Sequence, residues 1–90
     1  MHAVVVKVKI GDIDAAEPGL RERIVPAAKG APGFVAGYWT RSDDGTNGVA
    51  MIVFDSESQA RAAAEMIDKA PMAETVTRDS IEVREVVANA

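Results

Sequence analysis

Between residues 3 and 10 the side chains alternate: Val4, Val6, Val8 and Ile10 share one face of an extended chain, and Ala3, Val5, Lys7 and Lys9 share the other. That period of two predicts a first strand over Ala3–Ile10. Gly11-Asp12-Ile13-Asp14 ends the alternation. Asp14 and Glu17 have the spacing of a capping box, although Pro18 would then fall in the first turns, and Pro18 can alternatively serve as the first helical residue. Leu20, Ile24, Ala27, Ala28 and Ala31 then recur on one helical face, which predicts a first helix. Pro26 lacks an N–H donor and crowds the preceding turn, so a kink or an early change of direction is expected there. Gly30 and the Ala31-Pro32-Gly33 run supply the stop.

A second strand is expected over Phe34–Arg41, with Phe34, Ala36, Tyr38 and Thr40 on one face and Val35, Gly37, Trp39 and Arg41 on the other. Asp44-Gly45 and Asn47-Gly48 tolerate positive φ, and predict a hairpin with a mobile tip. Val49–Phe54 is apolar throughout, the pattern of a strand covered on both faces. Ser56 and Gln59, in capping-box spacing, open a second helix whose buried stripe is Ala60, Ala63, Ala64, Ile67 and Ala70. Glu57, Arg61, Glu65 and Lys69 step along it with alternating sign as a solvated ladder. Pro71 ends the helix, Met72–Asp79 reads as a connection, and Ser80–Val87 reads as a fourth strand. In that strand Ile81 and Val83 face one way, Glu82 and Arg84 the other.

The order β-α-β-β-α-β predicts an α+β fold: a ferredoxin-like plait with a four-stranded antiparallel sheet and two helices on one face. Two helices cover only that face, yet the second and third strands carry large apolar groups on both. A cover for the second face is therefore expected, either a lid or a second copy of the chain, with the paired sheets forming a barrel that can retain a cavity.

Composition narrows the function classes. Ninety residues suffice for one domain, taken as residues 1–90, and 27% charged against 48% hydrophobic residues is a globular balance. The net charge of −4, with no basic cluster, argues against a nucleic-acid backbone as partner. The first and third strands also lack the aromatic platform on which RNA-binding plaits stack bases. With no cysteine there is no disulfide, no thiolate nucleophile and no Cys-type zinc or iron–sulfur site. Nothing approaches a membrane span, and the expected location is the cytoplasm.

The run Pro32-Gly33-Phe34-Val35-Ala36-Gly37-Tyr38-Trp39, the polar hairpin, the apolar third strand, and Phe54-Asp55-Ser56 leading into an alanine-rich helix together resemble the dimeric α+β barrel superfamily. More narrowly, the chain is similar to the small antibiotic-biosynthesis-monooxygenase-like proteins. The resemblance implies two plaits joined by their sheets, with a ligand cavity in each subunit. It also implies a range of activities: cofactor-independent oxygenases, haem-degrading enzymes, isomerases, decarboxylases and proteins of no known activity. Fold alone does not choose among them.

Five residues are candidates for lining such a cavity: Lys7, Tyr38, Trp39, Met51 and Arg84. Lys7, opposite the valine stripe, would point into or along the barrel, where an ammonium could orient an anionic or phenolate substrate. Solvation, or cross-strand pairing with the strand that carries Glu82 and Arg84, is the plainer account of Lys7 and Lys9. Tyr38 and Trp39 are adjacent and must face opposite sides, one towards the helices and the other towards the barrel. Core or interface packing is a plainer account of such rings than ligand binding, and the same holds for Met51 and Phe54. His2, the sole histidine, stands at the start of the first strand without an orienting partner in the sequence. The haem-degrading branch relies on a ring-bearing second helix and an amide on the first strand, whereas Ala60–Ile67 here has no ring and the strand carries Lys7. Haem breakdown by that route is not expected. Asp43, Asp44 and Asn47 lack calcium-loop spacing, and no metal or cofactor is expected. The function expected is binding of a small apolar or aromatic molecule in the barrel, with cofactor-independent monooxygenation one implied reaction. The alternative is a non-catalytic homodimeric sensing or assembly module.

Overall fold

The computed structural model describes residues 1–11, 18, 20–70 and 76–90. Strand β1 (His2–Ile10) is followed by a wide π-helical turn (Leu20–Ile24) that runs into helix α1 (Val25–Lys29). Then come β2 (Phe34–Arg41), β3 (Asn47–Phe54), helix α2 (Glu57–Lys69) and β4 (Val76–Glu85). The four strands form one antiparallel sheet in the order β2-β3-β1-β4, the ferredoxin-like plait.

Alternation in β1 decides what the helices cover. Val4 and Val6 form a buried core with Ile52, Phe54 and Ala60, while Val8, Ile81, Val83, Ala63, Ala64 and Ile67 pack around it. Ala60 is fully buried, so α2 lies close on the sheet. Ser56 caps α2 as expected, its hydroxyl accepting from the Gln59 backbone N–H at 3.2 Å. Glu57–Arg61 at 3.2 Å and Glu65–Lys69 at 3.1 Å form the outer ladder. Ala70 does not join the buried stripe: the residue before a proline is pushed out of helical geometry, and Ala70 is extended and exposed (φ −71°, ψ 141°).

The first helical segment departs further from its expected stripe. Ala28 and Ala31 reach the core, but Ile24 is 51% exposed and Ala27 is exposed. Pro26 offers no N–H to a carbonyl one turn back, and the chain arrives there through a π turn. That wider winding shifts the helical phase and carries Ile24 off the stripe. Pro18 is helical, whereas the Asp14–Glu17 capping box lies outside the described residues.

Two strands begin earlier than the pattern suggests, and two bulges change which residues share a face. In β2, Phe34 pairs with Phe54 and Ala36 with Val53, so Val35 is an extra residue. Phe34 consequently falls on the helix side with Gly37 and Trp39, not with Tyr38. Its ring meets Phe54 edge-on, the centroids 6.4 Å apart. In β4, Ser80 pairs with Lys7 and Arg78 with Val8, leaving Asp79 bulged. Val76–Asp79, expected as connection, is thus strand, and β4 ends at Glu85, short of Val87.

Arg78 explains the concealment. On the helix side of β4, it donates to the main-chain oxygens of Ile67, Asp68 and Ala70 and closes the C-terminus of α2.

The hairpin uses positive φ at Gly45 (73°), whereas Asn47 and Gly48 belong to β3. Gly48 is required for close approach, since a Cβ there would lie 2.8 Å from the Thr40 carbonyl oxygen. The tip is tied down by Asp44, whose carboxylate accepts from the Ser42 and Thr46 hydroxyls at 2.7 Å each and from the Thr46 N–H at 3.0 Å. These bonds, Ser42 first, hold its pKa down at about 2. Gly33 has φ +79°, and a Cβ there would come within 2.0 Å of the Gln59 side-chain oxygen. The Pro-Gly-Phe run is therefore a packing device where the chain passes under α2.

Candidate functional site

The helix-free face of the sheet is assembled in rows across the strands. Tyr38, Met51, Val5 and Glu82 form one row, Ala36, Val53, Ala3 and Arg84 a second, and Thr40, Val49, Lys7 and Ser80 a third. Ala3 and Val5 are small, sit in the inner strand β1 and are buried by their surroundings. Tyr38 is 67% exposed and Met51 44%, with Val49 exposed beside them. A continuous apolar patch thus runs along β2 and β3, and no helix of the described residues lies over it.

Of the five predicted cavity residues, four share this face: Lys7, Tyr38, Met51 and Arg84. Trp39 does not. It is half-buried on the helix side, packed against the core, with its ring folded back over Gly37, where a Cβ would sit 2.7 Å from the ring. Arg84 is paired with Glu82 at 2.7 Å. Lys7 lines a depression of about 660 Å³ at the end of the sheet where β1 runs towards Gly11. Lys9, Thr46, Asn47, Thr77 and Asp79 also line it, and Lys9 lies 4.0 Å from Asp79. Tyr38, Met51 and Arg84 stand outside it. Thr77 was concealed because its segment reads as connection. The β-branched Val76 and Thr77 are the signal that could have revealed it.

No cluster of three or more metal-ligating side chains occurs among the described residues. His2 has its Nε2 3.7 Å from the Glu57 carboxylate at the start of α2, away from the open face. Haem held by a histidine of the second helix does not fit this chain, since α2 has no histidine and no aromatic ring. Among the described residues no helix is long and apolar enough to cross a membrane.

No protein-family model matches the chain, and no curated protein does. Solved structures do. HapK from Hahella chejuensis matches over 100% of this chain and 96% of its own, with a TM-score of 0.72 and 14% identity. The haem-degrading protein MhuD from Mycobacterium tuberculosis, solved with two hemes in its active site, matches at 0.57 and 23% identity, over 97% of this chain and 98% of its own. The monooxygenase ActVA-Orf6 of Streptomyces coelicolor, in complex with Nanaomycin D, matches at 0.57 and 15% identity, over 99% and 92%. The chain therefore shares the ferredoxin-like fold of these three proteins.

Proposed function

We propose that the chain works as a homodimer, two sheets face to face in an α+β barrel, and that the barrel binds a small apolar or aromatic molecule. The observation that carries this is the Tyr38–Met51–Val49 patch: large apolar groups exposed on the face that the chain's own helices leave uncovered. Apolar surface removed from water returns about 25 cal/mol per Å², and a specific interface needs roughly 800 Å² per partner. A whole sheet face is of that order. Support for a ligand comes from MhuD with its hemes and ActVA-Orf6 with Nanaomycin D: this fold accommodates organic molecules of such size.

Cofactor-independent oxidation is the reaction that best suits such a site. An acidic substrate that loses a C–H proton to solvent would itself supply the electrons to dioxygen, one oxygen atom ending as a new carbonyl and the other leaving as water, while the protein would contribute orientation. The exposed Tyr38 hydroxyl is a donor available to a bound carbonyl on this face. The pairing of Arg84 with Glu82 favours a second reading, a non-catalytic sensing or assembly dimer, because that guanidinium is already engaged by a carboxylate of its own strand.

Native mass spectrometry of protein freshly purified from its host, with sedimentation alongside, tests the proposal. A dimer retaining a small organic molecule is expected. A monomer carrying nothing overturns it. Oxygen uptake on an anthrone or hydroquinone then separates the two readings, the sensing module giving none above buffer.

A further inference from the structure

We propose that Lys7 reads an acidic group, a carboxylate or a phenolate, on the ligand, so that the molecule bound is an aromatic anion. This rests on the dimeric, ligand-binding reading above. Lys7 lies on the helix-free face between Val49 of β3 and Ser80 of β4, and neither can neutralise it. The carboxylates of its face are engaged elsewhere: Glu82 with Arg84 at 2.7 Å and Asp79 with Lys9 at 4.0 Å. Among the described residues Lys7 has no ion-pair partner of its own.

Among the described residues the face therefore carries three cations, Lys7, Lys9 and Arg84, against two carboxylates. On those residues it is locally positive in a chain whose net charge is −4. The same face of a second copy would bring the same set of charges. Meanwhile the cover strips water from the Lys7 ammonium, and an ammonium left enclosed without a counter-charge is strongly disfavoured. An anion from outside the protein removes that penalty. The depression of about 660 Å³ gives it room, with Asn47 and Thr77 supplying neutral donors around the lysine. Both Lys7 and the apolar Val49 line it, which suits a molecule with a charged head on an aromatic body.

The test compares 2-naphthoate with 2-naphthylmethanol, probes that share a ring system and differ in charge. Their affinities for the wild type, Lys7→Met and Lys7→Arg are measured by calorimetry, with sedimentation of each protein. The wild type is expected to favour the carboxylate roughly 10-fold or more, as a charge-assisted hydrogen bond would. Lys7→Met should erase that preference with the alcohol's affinity and the dimer unweakened, and Lys7→Arg should keep it. Retention of the preference in Lys7→Met overturns the inference. So does a looser dimer with the preference intact, which would place Lys7 in an ion pair across the interface. Equal binding of both probes by the wild type sinks the anion specificity and leaves the ligand-binding reading standing, whereas binding of neither sinks both.

Discussion

The two faces of the one sheet are built from alternate residues of the same strands and are finished differently. On one, Val4, Val6, Ile52 and Phe54 meet Ala60 of α2, and the chain completes its own core. On the other, Tyr38 and Met51, each one residue away from a core position, end in solvent. With the proposed dimer, a substitution in the regular part of a strand should act on folding or on association according to the face its residue occupies. Breaking each face in turn shows whether that division holds.

The largest effect is expected on the closed face. Phe54 is 1% exposed and meets Phe34 edge-on, so Phe54→Ala leaves a cavity and should cost about 3–5 kcal/mol in urea unfolding. A loss below ~1 kcal/mol would mean that the core is centred elsewhere. On the open face Met51→Asp should leave unfolding of the single chain within about 1 kcal/mol of the wild type. It should weaken self-association roughly 100-fold or more, because the proposed interface would have to bury a new, unpaired carboxylate from each copy. Sedimentation at graded concentration reads this directly. An unchanged dimer would move the interface off the sheet.

Much of this division is visible in the amino-acid pattern. The stripe Val4, Val6, Val8 in β1 and the run Ala60, Ala63, Ala64, Ile67 in α2 are regular enough to locate the closed face, and Lys7 follows as a resident of the other. Where the pattern misleads, a single local event is responsible. The extra residue Val35 moves Phe34 to the helix side without altering composition, so strict alternation groups it wrongly with Tyr38. Which of Tyr38 and Trp39 is covered depends on that register and on the ring's fold over Gly37. Arg78 hides the first half of β4 by putting a cation on a buried face, where it serves the carbonyls of α2. The depression beside Lys7 was only partly legible for the same reason, since Thr77 and Asp79 belong to that disguised segment.

Arg78 sharpens the comparison as a polar exception on the closed face. Its side chain is 15% exposed and ties β4 to the end of α2, so Arg78→Met should destabilise by about 1–3 kcal/mol even though it keeps an unbranched apolar stem. Hydrogen exchange should show the loss first in amides of the last turn of α2. Uniform loosening of the whole chain would mean that Arg78 supports the core and not the helix end.

The smallest effect belongs to Asp44, which lies on neither face but fixes the hairpin that sets β2 against β3, and with it the rows of both faces. The Ser42 and Thr46 hydroxyls and the Thr46 N–H favour its ionised form, bringing the pKa from 3.8 to about 2. A carboxylate whose folded pKa lies below its unfolded value contributes stability that is fully present above the unfolded pKa and is lost as pH falls through the folded one. Asp44 therefore contributes fully near neutrality, with the contribution fading from about pH 5 and gone only below the folded pKa of about 2. Asp44→Asn keeps the shape and removes the titration, so wild type and variant should differ most at neutral pH and converge as acid is added. Urea unfolding at stepped pH measures the gap. Because the group is fully exposed the gap should be small, and one that stayed constant from neutrality to pH 2 would show that the turn is held by its shape and not by the charge of Asp44.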